Sequence, residues 1–208
     1  MFIKICGIKT QKELKVVEKY ADATGVVVES ESKRRVSLDK AKELIEASSI
    51  PVFTVSTLED FKSWSEVIEK TGTEYIQIHS DMDIDTVEKL KEEHSVFIMK
   101  AFKVPKRSSF PEMDAEDLIK RIVEYKGIVD RILLDTGKGC GVTHDHRVSK
   151  IVCRKFDVVL AGGLNPENVR EIVDYVQPSG VDVSSGVERD GEKREELIKS
   201  FVERLKMR

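Results

Sequence analysis

The sequence predicts an α/β chain folded as a single (β/α)8 barrel over residues 1–208. Three observations predict it. Short apolar, β-branched runs recur eight times along 208 residues. Charged stretches with helical periodicity separate them. The spacing from one run to the next is that of a strand, a loop and one helix. Strands alternating with helices pair in parallel through right-handed crossovers, and eight such units fill this architecture near its lower size limit. A doubly wound open sheet is the runner-up, but it usually uses fewer strands at this length and often opens on a glycine-rich turn. Here the first run leads into CGIKT, residues 6–10, with no G-x-G-x-x-G. No linker, low-complexity tract or domain boundary interrupts the pattern.

The predicted strands are residues 2–6, 23–29, 51–56, 75–80, 96–102, 131–136, 157–163 and 180–186. The first helix is expected over 10–20. The second, over 37–47, starts at Ser37, a capping residue, and carries Leu38, Ala41, Leu44 and Ile45 at helical spacing. The third, over 57–70, opens with Thr57 and Asp60, a pair resembling a capping box. Helices follow over 83–93 and 114–125, a short weak one over 146–154, then 166–175 and 192–207. Asn165 before Pro166 reads as an N-cap with proline at the first helical position. Residues 105–113 read as an extended loop.

Composition narrows the function classes. Hydrophobic residues at 40% and charged residues at 35% describe a folded chain with a highly charged surface rather than a disordered one. A net charge of −3 gives no sign of a global nucleic-acid or anionic-membrane binder. Cys6, Cys140 and Cys153 are an odd set without C-x-x-C spacing, which argues against a disulfide framework and fits a reducing, cytoplasmic setting. Neither a signal-peptide pattern nor an apolar run of spanning length is expected. The composition suits a monomer or a homodimer.

In such a barrel the C-terminal strand ends form the functional rim. The strands deliver there Cys6, Glu29, Ser56, His79, Lys100 or Lys103, Asp135, Gly162-Gly163, and Asp182 with Ser184-Ser185-Gly186. The last two groups are glycine- and serine-rich turns after strands seven and eight. Glycine lets a backbone approach a ligand closely, and free N–H groups in such turns wrap anions. Gly162, Gly163, Ser184, Ser185 and Gly186 are therefore expected to bind a phosphate.

Seven segments together resemble the phosphoribosylanthranilate isomerase family: KICGI (4–8), ADATGVVV (21–28), SKRRVS (32–37), IQIH (76–79), LLDT (133–136), AGGLNPENV (161–169) and VDVSSGVE (181–188). The resemblance covers nearly the whole chain, and KICGI paired with VDVSSGVE is its most specific part. It implies an Amadori rearrangement of a phosphosugar–anthranilate substrate in tryptophan biosynthesis, with no metal, no organic cofactor, no nucleic acid and no membrane partner. It further implies Cys6 as general base and Asp135 as general acid. A thiol base is expected in a partly exposed, electropositive site that lowers its pKa. A carboxylic acid is expected in surroundings that keep its proton at neutral pH. The arginine after Ser32-Lys33 is the family's anthranilate carboxylate ligand, which points to Arg34, with Arg35 the neighbouring competitor. Asp182 resembles the residue near the sugar hydroxyls. Gln77 and His79 are read as rim or supporting groups.

Two departures stand out. Thr143-His144-Asp145-His146 carries histidines where the family commonly has Phe and Trp, and Ser80 stands where glycine usually follows the histidine. Cys140, His144 and His146 suggest metal ligands, but three candidates in one glycine-rich loop, without a fourth at a usual spacing, argue against zinc. Cys153 reads as core. Two other functions compete. A different phosphosugar barrel would lack Cys6 in this context, and a non-catalytic phosphate-binding barrel would not need both Cys6 and Asp135.

Overall fold

The computed structural model describes residues 1–136 and 143–206. Cys140, its glycine-rich neighbourhood and Met207 lie outside the described residues. Eight parallel strands, β1 (Phe2–Cys6), β2 (Ala23–Val27), β3 (Val52–Ser56), β4 (Tyr75–Ile78), β5 (Phe97–Lys103), β6 (Arg131–Asp135), β7 (Val158–Leu160) and β8 (Gly180–Val183), stand side by side in chain order. The sheet closes where β8 pairs with β1, placing Phe2 opposite Gly180 and Lys4 opposite Asp182. Outside the strands lie α1 (Gln11–Val17), α2 (Leu38–Glu46), α3 (Phe61–Thr71), α4 (Ile84–His94), α5 (Pro111–Glu124), α6 (His146–Cys153), α7 (Val169–Val176) and α8 (Glu195–Lys206). Closure removes the edges that an open sheet would expose. No helix among the described residues is long and apolar enough to cross a membrane.

Alternation along β1 explains the two-layered core. Ile3 and Ile5 join the outer cluster, where strand faces meet apolar helix stripes such as Leu14, Leu44, Trp64 and Phe201. Cys6 belongs to the inner cluster with Val27, Phe53, Val55, Met99, Leu133 and Val159. Strands buried on both faces read as nearly continuous apolar runs, which is why β1 to β8 were visible in the sequence. Aromatic rings fill the N-terminal end of the barrel: Phe53, Tyr75 and Phe97 lie with centroids 5.4–5.9 Å apart. That end is closed by packing, so the C-terminal end is left for polar groups.

Several boundaries differ from the sequence expectation. The α3 cap is Asp60, which accepts from the Ser63 N–H, rather than Thr57. Helix α5 starts at Pro111, inside the segment read as loop. Asn165 does not cap α7. Its side chain accepts from the N–H groups of Glu167 and Asn168, while Asn168 accepts from the Asn165 N–H. This reciprocal turn delays α7 to Val169. Residues 192–194 are not helical either. Strands β9 (Glu188–Arg189) and β10 (Glu192–Lys193) form a small antiparallel hairpin before α8.

Candidate active site

The strand ends open into a cavity of about 970 Å³, lined among others by Cys6, Arg34, Arg35, Asp135, Gly162, Gly163, Asp182, Ser184 and Ser185. Gly186 alone of the predicted site residues stays out of the lining. A Cβ there would sit 1.9 Å from the Leu164 carbonyl oxygen, so its bare α-carbon lets the β8 turn press against the β7 turn. The structure thus brings Cys6, Arg34, Asp135, Asp182 and both turns to one mouth, while the rim candidates Lys100 and Lys103 do not line it.

Gly7 adopts φ +85°, a left-handed conformation suited to glycine, and turns the chain away directly after Cys6. The turn is tied by the Ser184 hydroxyl, which donates to the Cys6 carbonyl at 2.9 Å. Gly7 also makes room for Arg34, whose Cδ would lie 2.5 Å from a Cβ at that position.

The thiol differs from the expectation of a partly exposed group with a lowered pKa. Cys6 is only 7% exposed. Burial pushes its pKa up, while the Lys4 and Lys193 cations pull it down and Asp182 pushes it further up. The reason is depth: the side chain packs in the inner cluster of apolar groups. Lys4, two residues earlier on the same inward face, is fully buried and donates to Asp182 Oδ2 at 2.9 Å. Burial opposes the Lys4 charge, but Asp182 and Cys6 outweigh it and hold its pKa above the ordinary lysine value. The other oxygen, Asp182 Oδ1, is buried without a hydrogen-bond partner among the described residues.

Across the mouth, Asp135 ends β6 at 7% exposure. His79 Nδ1 lies 3.9 Å from Asp135 Oδ2. On its other side His79 Nε2 lies 2.5 Å from the Gln77 amide nitrogen. Burial, then the Lys4 cation, lower the His79 pKa to about 4, so the imidazole is neutral at neutral pH. It adds no positive charge beside the carboxyl group.

Gly162 (φ +93°) and Gly163 (φ +67°) follow β7 in left-handed conformations. A Cβ on Gly162 would lie 2.3 Å from Thr136 Oγ1 and 3.1 Å from Asp135 Oδ1. The predicted anion loop and the predicted acid thus touch.

Arg34 is engaged by a protein carboxylate. Its Nε and Nη2 each donate to Glu188 at 2.7 Å. Glu188 also accepts from Lys193 Nζ at 2.7 Å, and Lys193 reaches the Ser184 carbonyl at 3.1 Å. Lys4, Glu188 and Lys193 carried no role in the sequence reading. Lys4 was visible as a lysine at an inward position of a strand otherwise apolar on both faces. Glu188 and Lys193 look like surface charges in a charged tail, and only the hairpin turns them inward.

His144 takes no place in the cavity lining. It is buried, with Nε2 2.6 Å from Ser149 Oγ and Nδ1 3.5 Å from Thr136 Oγ1. The His146 ring meets it edge-on at 5.0 Å. The two histidines that replace aromatics pack at the base of α6.

A closed parallel barrel with a thiol, a carboxylate and glycine turns converging at its C-terminal mouth has the layout of a (β/α)8 enzyme built for acid–base chemistry. The chain belongs to the N-(5'-phosphoribosyl)anthranilate (PRA) isomerase family, whose model matches residues 3–204. An N-(5'-phosphoribosyl)anthranilate isomerase of Methanococcus aeolicus is 63% identical over 99% of this chain and 98% of its own. The solved phosphoribosyl anthranilate isomerase from Thermococcus kodakaraensis superposes with a TM-score of 0.93 at 55% identity, covering 99% and 98% of the two chains. A further solved phosphoribosyl anthranilate isomerase, in complex with reduced 1-(o-carboxyphenylamino)-1-deoxyribulose 5-phosphate, has a TM-score of 0.81 at 32% identity, over 99% of this chain and 98% of that one.

Proposed function

We propose that the protein converts N-(5-phosphoribosyl)anthranilate into 1-(o-carboxyphenylamino)-1-deoxyribulose 5-phosphate, with Asp135 as acid and Cys6 as base. Asp135 gives its proton to the furanose ring oxygen as the C1′–O bond breaks, leaving a protonated Schiff base. The Cys6 thiolate then takes the C2′ proton, and the electron pair moves into an enolamine. Tautomerisation of the enolamine gives the ketone. Electrons only redistribute within the substrate, so no oxidant or reductant enters. The observation that carries this reading is the convergence of Cys6 and Asp135, from β1 and β6, on one cavity.

The remaining groups support binding. Asp182 lines the cavity, and Lys4 clamps it at Oδ2, which holds its carboxylate at the mouth toward the sugar hydroxyls. Arg34 is held by Glu188 along its Nε–Nη2 edge, which leaves the Nη1–Nη2 edge to pair with the anthranilate carboxylate. Gly162, Gly163, Ser184 and Ser185 offer backbone N–H and hydroxyl groups to the phosphate.

Loss of phosphoribosylanthranilate fluorescence measures turnover. The parent is expected to turn over strongly, and Cys6→Ser and Asp135→Asn to lose several orders of magnitude. Full activity in Cys6→Ser removes the base from this scheme, and a parent without turnover leaves only a binding protein.

A further inference from the structure

We propose that Lys4, clamped by Asp182, is the positioning residue that favours the thiolate form of Cys6; the consequence for turnover rests on the reading of Cys6 as base. The geometry comes first. A Cβ built on Gly25, the β2 residue paired with Cys6, would lie 2.8 Å from the Cys6 sulfur and 3.3 Å from Lys4 Nζ. Both atoms therefore border one small space over Gly25. Lys4 is fully buried, where a lone ammonium is costly, and its salt bridge to Asp182 keeps it charged.

A thiol buried in the barrel needs a nearby cation to ionise near neutral pH. Three cations act on it: Lys4 from β1, Lys193 from β10, and Arg34 from the loop after β2. Arg34 and Lys193 share the Glu188 carboxylate. Asp182, from β8, opposes thiolate formation, and His79, near Lys4, is neutral. Lys4 is the cation that shares the space over Gly25 with the sulfur, and Asp182 on the neighbouring strand fixes it from behind. An ammonium also suits this place better than a guanidinium, because a compact point charge fits in the space left over Gly25.

The test is an ultraviolet titration of the thiolate in the free protein. Each variant is read against its own Cys6→Ser counterpart, so that Cys140 and Cys153 cancel. Lys4→Met is expected to raise the Cys6 pKa by roughly one to three units. The acidic limb of kcat/KM should move up with it, and turnover at neutral pH should fall about tenfold for each unit. Lys4→Met/Asp182→Asn removes both buried charges, so it keeps the question open to measurement if the single variant fails to fold. Its thiol should also titrate above the parent's. A Cys6 titration at the parent value in either folded variant overturns the proposal, even if activity falls, because a purely structural lysine would lower activity at every pH. Full turnover in Cys6→Ser would instead sink the choice of base, and the thiolate titration would still judge Lys4 by itself.

Discussion

Arg34 and Glu188 form a two-pronged ion pair, both prongs 2.7 Å long, although they stand 154 residues apart in the chain. Glu188 is 10% exposed and also holds Lys193, whose side chain is fully buried. Burial works against the Glu188 charge, but Arg34 and Lys193 outweigh it and keep its pKa below the ordinary glutamate value. Breaking one member of a buried ion pair typically costs about 3–5 kcal/mol. Glu188→Gln should accordingly destabilise the protein by about 3 kcal/mol in urea denaturation and raise KM as Arg34 loses its alignment. The sign with pH follows from the lowered pKa. This stabilisation is present above the unfolded glutamate pKa of 4.5 and is lost as pH falls below it, and Glu188→Gln should flatten that part of the curve.

Two histidines set a second pH dependence. Burial lowers His79 to about 4 and His144 to about 3, from an ordinary 6.5. Between about pH 6.5 and 4 the unfolded chain binds protons at these positions that the folded chain refuses. Stability should thus fall as the pH drops through that window, by at most about 1.4 kcal/mol per pH unit for each histidine. Urea midpoints across the range check this, and His79→Gln should reduce the slope. An unchanged slope in that variant would mean that His79 protonates as easily folded as unfolded.

Gly25→Ala tests the space around the thiol. The new methyl would meet the Cys6 sulfur at 2.8 Å and must push it aside. A displacement near 1 Å at a reacting group can cost about 10²-fold in rate. The expected result is a kcat lower by about that factor. A kcat equal to the parent's would show that the thiol moves freely without loss.

Gly162→Ala tests the turn after β7. Its φ of +93° strains any other residue, and its Cβ would lie 2.3 Å from Thr136 Oγ1. Backbone strain of this kind costs about 1–3 kcal/mol. Lower thermal stability and weaker competition by inorganic phosphate are expected. Unaltered phosphate inhibition would take this turn out of the phosphate site.

The fold was legible because a parallel barrel buries both faces of every strand. Runs such as FIKIC and DVVLAGG then stand out from charged helices without any knowledge of neighbours. Helix starts were less legible where a side chain had two local options. Asn165 could cap a helix or close a turn, and its exchange with Asn168 selected the turn. The strand-end rule gathered Cys6, Asp135, Asp182 and the glycine turns, since strand ends converge in a closed barrel whatever the details of packing.

By itself the sequence determined the barrel and its direction and pointed to Cys6, Asp135 and Asp182 at its mouth, because periodicity and strand order follow from local chemistry. Tertiary structure alone decided which of those groups touch. It buried Cys6, set Lys4 between the sulfur and Asp182, placed a neutral His79 beside Asp135, and turned Glu188 inward to hold Arg34. Those relationships depend on side chains from strands and turns far apart in sequence, where one ångström or one missing Cβ sets which charges are paired.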